Sequence, residues 1–302
     1  MTARRPDQPS LHGMLIIDKP AHWTSHDAVA WARRWTDERK IGHAGTLDPA
    51  ATGVLALAVG DGTRVLEYLA DADKEYRAEI TLGVATDSCD IEGTVVATSD
   101  REIAEQQVRN ALREFVGEID QVPPVLSAIR IDGRRAYDRA RRGENVVMPV
   151  RRVTIRSITP GTYADNVVIA DMVCSKGTYV RSVARDLGER LDVPAYLSNL
   201  VRIRSGPYSL ADAWPIQELE TFDPRAAWPE IALHPDTALP DWPALVLDAG
   251  HERNWRFGRP VSGPRPSPGR ARLYNKIGEW IGLAEYNPIE GAWRPLRVIG
   301  TQ

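Results

Sequence analysis

Residues 42–55 read GHAGTLDPAATGVL, and no other stretch narrows the fold and chemistry of this chain so far. One carboxylate, Asp48, stands between a turn punctuated by Gly42 and Gly45 and an apolar run opened by Gly53. Glycine permits positive φ or the close approach of a second backbone, and Pro49 fixes the chain just after the acid. The pattern suits an exposed acid on a rigid base. It also suits a plainer reading, in which Asp48 caps a helix whose first residue is Pro49.

The flanking chain predicts an α+β architecture. Met14–Ile17 is an apolar run closed by Asp18-Lys19-Pro20, the mark of a buried strand entering a turn. Thr24 or Ser25 then caps a helix with Ala28, Trp31, Ala32 and Trp35 on one side. Glu75–Leu82 alternates like a half-buried strand, and Gly93–Thr98 reads as its neighbour across the turn TDSCDIEG. The acids of that turn, Asp87, Asp90 and Glu92, lack calcium-loop spacing and read as solvated. Ser99 and Glu102 predict a capping box for a helix that Gly117 ends, with Ala104, Val108, Ala111, Leu112 and Phe115 inward. Val167–Cys174 reads as a strand leading through SKGTYVR into a helix, and NLVRIRSGPY as a further strand of the same sheet. Tyr179 and Arg181 are two apart, so both point the same way where the chain is extended. Otherwise Arg181 is a helix-surface residue and Tyr179 a core aromatic.

Charge is informative only locally. The net −3 of the 302-residue chain gives no global sign of a polyanionic partner. Residues 121–152, however, hold eight arginines against Asp132, Asp138 and Glu144, so 8 − 3 = +5. One-signed arginine suits phosphate contacts, with a solvated face as the alternative. Residues 217–241 turn Pro-rich and acidic and read as a linker, although Trp228 is expected to pack. From Trp242 onward, short apolar runs between Gly/Pro turns predict a small β-barrel-like domain.

Two distant cysteines, Cys89 and Cys174, predict a reduced, cytoplasmic protein without a disulfide framework or zinc site. The basic N-terminus lacks a signal-peptide core, and the longest apolar run, Val54–Val59, is too short to span a bilayer. Phosphate-loop, dinucleotide-fold, HExxH and GxSxG patterns are absent, which argues against metal and nucleotide-cofactor chemistry. What remains is a turn-mounted Asp48, a Tyr-x-Arg, Tyr76 at a strand start and two basic surfaces. A carboxylate held by arginine can act as a nucleophile. Aromatic stacking suits a nucleobase drawn out of its helix, and arginines suit RNA phosphates.

These pieces occur in a known order. DKP, GHAGTLDPAATGVL, DKEYRAEITLGVATDSCDIEG, SKGTYVRSVARDLGERL and NLVRIRSG, between Met14 and Gly206, resemble the TruB family of tRNA pseudouridine synthases, which modify uridine 55 in the T loop. The tail after Trp242 is similar to the family's RNA-binding PUA domain. One departure is Ala44, where the family more often has Thr, and the acidic Pro-rich connection is another. The resemblance implies the pseudouridine synthase fold, a mixed, largely antiparallel sheet flanked by helices. It divides the chain into a catalytic domain at 10–235 and a PUA-like domain at 242–302.

It also implies roles. Asp48 is the nucleophile, attacking C6 or C1′ of a flipped uridine, and Arg181 is its ion partner. Tyr76 stacks on the base, Tyr179 and Leu200 shape the pocket, and Lys19 supports its floor. His43 enters the loop to displace the base. Residues 121–152 form the arm that closes over the T loop, with Arg139, Arg141 and Arg142 on phosphates. The implied partner is the tRNA T stem-loop, the protein a monomer, and the isomerisation needs no metal or organic cofactor. A noncatalytic RNA-binding or RNA-folding protein on the same scaffold is the alternative. A carboxylate-dependent hydrolase lacks a convincing second acid, Asp18 and Asp87 being only sequence candidates.

Overall fold

The computed structural model describes residues 10–127, 129–131, 134–136, 139, 142, 144, 146–263 and 269–300. Its strands are β1 (Gly13–Lys19), β2 (Ile41–His43), β3 (Thr52–Val59), β4 (Lys74–Leu82), β5 (Val84–Thr86), β6 (Val95–Thr98) and β7 (Gly117–Gln121). The short hairpin β8 (Arg130–Ile131) and β9 (Arg134–Arg135) lies in the arm. Then follow β10 (Arg151–Ala164), β11 (Val167–Cys174), β12 (Ala195–Ser205), β13 (Tyr208–Ser209) and β14 (Trp214–Pro215).

One ten-stranded sheet runs β14-β1-β3-β12-β4-β11-β10-β7, with β2 added on β3 and β13 on β12. It is largely antiparallel, as predicted, with β12–β3 and β1–β14 pairing in parallel. β3 shows how sequence builds this layer. Its side chains alternate between two cores: Leu55, Leu57 and Val59 join Leu15 and Ile17 below the helix Ser25–Thr36. Val54, Ala56 and Ala58 face the opposite way, with Met14, Ile16 and Leu69. Period-two alternation in a strand covered on both faces yields this near-continuous apolar run.

The parallel seam between β3 and β12 joins two antiparallel halves and fixes Val201 opposite Thr52 and Arg202 opposite Gly53. Gly53 has φ +104°, and a Cβ there would stand 2.3 Å from the carbonyl oxygen of Arg202. A glycine is obligatory at that point. Gly42 answers to crowding instead, since its Cβ would lie 2.7 Å from Leu66 Cδ1.

The predicted helix start holds: Thr24 Oγ1 accepts from Asp27 N at 3.0 Å, and Asp27 accepts from Thr24 N at 2.9 Å. Elsewhere the tertiary fold overrides local signals. β6 pairs with β5, not with β4, because both edges of β4 are taken by β11 and β12. Ser99 caps no helix; its N–H donates to Gly83 O at 2.8 Å and extends the hairpin, its Oγ accepts from Arg101 N at 3.3 Å, and the helix runs Glu105–Arg113. Gly117, expected to end that helix, opens β7.

Residues 216–239 clamp the β1 side of the large sheet. Asp223 caps the helix Pro224–Ile231 through Arg225 N and Ala226 N. Buried Trp228 donates from Nε1 to His12 O at 2.9 Å, and Met14 and Leu233 exchange backbone bonds of 2.8 Å. Beyond it, β15 (Ala244–Val246), β16 (Val261–Ser262), β17 (Arg270–Tyr274), β18 (Trp280–Asn287) and β19 (Ala292–Val298) form a curled sheet, order β15-β17-β18-β19-β16, around Trp255 and Trp293. This is the expected small, half-open β-barrel. Its Trp280, Leu283 and Ile299 share a core with Met14, Ile16 and Val54, and Arg297 reaches Glu67 at 2.7 Å. Among the described residues no helix is long and apolar enough to cross a membrane.

Candidate active site

The chain leaves β2 at His43 and re-enters the sheet at Thr52, and the eight residues between are not helical. Asp48 therefore caps no helix; Ala51 N donates to its carbonyl at 3.1 Å and closes a tight turn instead. The turn is braced from several sides. Ser25 Oγ accepts from Leu47 N at 2.8 Å and donates to Leu47 O at 3.1 Å. Lys19, wholly buried, donates to Pro20 O at 2.8 Å, Trp23 O at 2.7 Å and Pro49 O at 3.2 Å. Arg202, also wholly buried, donates to Val54 O at 2.7 Å and to Thr46 O and Gly45 O at 3.3 Å. Burying a cation is costly unless its donors are used, and here backbone carbonyls use them, those of Gly45, Thr46 and Pro49 belonging to the turn itself.

Arg181 Nε lies 2.9 Å from Asp48 Oδ2, with the arginine side chain 7% exposed and the carboxylate 34%. The contact is a close ion pair without an aligned N–H···O bond, for Nε–H has no acceptor in line among the described residues. Nη1 of the same guanidinium lies against Asp90 Oδ2 at 3.2 Å, Ser88 O at 3.2 Å and Leu126 O at 3.1 Å. Asp90, 10% exposed, accepts from Ser88 Oγ at 2.5 Å and from Glu92 N at 3.1 Å. The turn expected to be solvated is thus folded inward at Asp90. One arginine serves two carboxylates: the buried one fixes the arginine, and the half-exposed one faces open space.

That space is two cavities meeting at Asp48. The smaller, about 230 Å³, is lined by Tyr76, Tyr179, Leu200, Lys74 and Arg202 besides Asp48 and Arg181. The larger, about 650 Å³, is bounded by His26, Asp87, Thr94, Leu126 and Ser127. Tyr76 points inward because β4 alternates, and burial pushes its phenol up while the Arg202 guanidinium pulls the other way. Tyr179 is held extended at φ −101°, ψ 109° by the Gln121 amide, which accepts from its N–H at 2.8 Å and donates to its carbonyl at 3.1 Å. Arg181 is already inside the helix Val180–Leu191, so the pair meets across a bend at the helix start, not along one extended strand. Burial also raises the Tyr179 phenol. This tyrosine packs on a small core of Ile129, Ala136, Val146 and Met148, which joins the arm to the cavity.

Other predicted residues sit differently. Lys19 lies beneath the turn and outside both cavity walls, where it braces the loop through Pro49 O. His43 is half-buried and lines neither cavity; its ring meets that of His26 at 5.8 Å, and burial, then His26, lowers its pKa. In the arm, Arg139 pairs with Glu144 at 2.7 Å and Arg142 is exposed. Arg141, Asp132 and Asp138 lie outside the described residues. Sequence reasoning missed Asp90, Lys74 and Arg202. Only Gly53 signalled Arg202, because an obligatory glycine needs a backbone against it.

The model for the TruB family pseudouridylate synthase N-terminal domain matches residues 33–180, and that for the pseudouridine synthase II TruB C-terminal region matches 243–299. The tRNA pseudouridine synthase B of Leifsonia xyli subsp. xyli is 46% identical over 296 residues, 92% of this chain and 94% of that one. Its namesake from Roseobacter denitrificans is 44% identical over 262 residues, 85% of each chain. A solved H/ACA RNP bound to a substrate RNA containing 2′-deoxyuridine matches with TM-score 0.72 at 22% identity, covering 95% of this chain and 85% of that one, a likeness of fold. With both family models placed in order and these identities spanning nearly the whole chain, the protein belongs to the TruB family of pseudouridylate synthases.

Proposed function

We propose that this protein converts uridine 55 in the T loop of tRNA to pseudouridine, with Asp48 as the covalent nucleophile. One observation carries the reading: the Asp48–Arg181 pair at 2.9 Å stands where a base-sized cavity opens into a larger one. A uridine turned out of its stack enters the smaller cavity between Tyr76 and Leu200, while the rest of the loop fills the larger. Asp48 adds to the nucleotide, the N1–C1′ bond breaks, and the base turns in place. C5 then bonds to C1′, the bond to Asp48 breaks with its electron pair returning to the carboxylate, C5 loses its proton and N1 gains one. The reaction is an isomerisation with no net redox change.

Arg181 holds the carboxylate in attacking position, and Tyr76, Tyr179 and Leu200 hold the base plane. Lys19 acts beneath the floor, and His43 acts at the rim through His26. Arg139, Arg141 and Arg142 meet phosphates from the arm. In this reading residues 10–235 form the catalytic domain, residues 242–302 bind RNA, and a cytoplasmic monomer does the work.

Incubation with unmodified tRNA and site-by-site mapping of pseudouridine tests it. One new pseudouridine at position 55 is expected. Tight tRNA binding with no pseudouridine overturns the enzyme reading in favour of a noncatalytic RNA-folding role.

A further inference from the structure

Two buried lysines flank the nucleophile turn, and they differ in how many donors they have left. An ammonium carries three N–H groups and no acceptor. Lys19 uses all three on the carbonyls of Pro20, Trp23 and Pro49 and lies outside the cavity walls. Lys74 uses two, on Ala70 O and Ala72 O, each at 2.6 Å. Its third N–H has no acceptor among the described residues, and its side chain lines the 230 Å³ cavity. Lys74 and Tyr76 are two apart on β4 and so project from the same face. The lysine stem also lies against the nucleophile turn, its Cε 3.6 Å from where a Cβ on Gly45 would stand.

A 5% exposed cation with one unused donor, beside the phenol proposed to stack on the base, lacks only its acceptor. We propose that Lys74 contacts the substrate directly, its third N–H donating to a ring carbonyl oxygen of the uracil in the cavity. The inference rests on the base-isomerisation reading above and adds a residue to it. A uracil cut from its sugar spreads negative charge onto O2 and O4, so a fixed cationic donor helps the severed state more than the bound substrate. Burial, then Arg202, pushes the Lys74 ammonium down to about 8, with Cys174, Asp71 and Asp73 opposing; Tyr76 and Lys176 share the cavity wall. The cation is therefore present at neutral pH and is lost as pH rises through about 8.

Single-turnover rates on a T stem-loop RNA across that range test the role, using wild type, Lys74→Met and Lys74→Arg. Lys74→Met should be roughly 10²-fold slower and should lack the wild-type decline above about pH 8. Lys74→Arg, which stays protonated, should be slower than wild type yet equally free of that decline, and it serves if the Met variant fails to fold. Replacing O2 or O4 of the target uridine by sulfur should slow wild type at one position and leave Lys74→Met unaffected there. A folded Lys74→Met with the wild-type rate, either variant keeping the alkaline decline, or equal thio effects in both enzymes overturns the contact. A wild type inert on this RNA overturns the isomerisation reading itself, and this role with it.

Discussion

The cavity and the arm are both rich in arginine, and the two use it in opposite ways. Around Asp48, Arg181 and Arg202 are buried, and their donors go to backbone carbonyls and carboxylates. They determine where atoms sit. In and beside the arm, Arg142 and Arg151 are exposed, and Arg139 and Arg152 pair with Glu144 at 2.7 Å and Asp120 at 3.1 Å. The exposed Arg152–Asp120 pair adds little stability, Arg139 and Glu144 are half-buried, and the exposed guanidiniums keep a long-range attraction for anions. Buried arginine supplies geometry, and exposed arginine supplies a field that salt can screen.

The contrast can be broken at its strongest point first. Asp48→Asn should lower turnover by at least ~10⁴-fold, because the amide is no nucleophile, while tRNA affinity persists; measurable pseudouridine from this variant removes the assignment. Arg181→Lys keeps a charge beside Asp48 but cannot also span Asp90, Ser88 and Leu126. A loss of roughly 10²-fold in single-turnover rate is expected, since a lysine does not reproduce the guanidinium fork. A rate near wild type would reduce Arg181 to a simple counter-charge.

Gly53→Ala probes the scaffold beneath the site. With φ +104° and a carbonyl 2.3 Å from the added carbon, the seam between β3 and β12 must shift. About 3 kcal/mol of stability should go, read as a lowered unfolding midpoint; an unchanged midpoint means the seam is slack. The smallest effect belongs to the arm. Neutralising Arg139, Arg141 and Arg142 together should weaken RNA binding about tenfold at low salt and flatten its salt slope by up to ~3. Arg139 should contribute least of the three because Glu144 already faces it. An unaltered slope returns the arm to a solvated surface.

Much of this site could be read from the chain, and the exceptions share a cause. The Asp48 string, Tyr76 on an alternating strand, Leu200 and the Tyr-x-Arg all come together at one cavity. Arg202 was read as one more residue of an alternating strand, because alternation normally means one wet face. Here β12 sits in mid-sheet, its Arg202 points at the turn, and both sides are covered. Asp90 was read as solvent-facing because acids in a Gly-ended turn normally are. Only a helix remote in sequence brings Arg181 to it. Lys74 was not singled out, because what encloses it is a short helix end and two neighbouring strands.

By itself the sequence determined what is local: the glycines that let the turn close, the acid it presents, the strand and helix periods, and the order of motifs that marks the family. Tertiary structure alone decided which carboxylate holds Arg181 and which one faces the cavity, which lysine is saturated and which has a donor left, and that β4 takes β11 and β12 as neighbours instead of β6. The physical reason is that periodicity and turn chemistry act over a few residues, whereas burial, register and donor satisfaction are set by partners tens to more than a hundred residues away.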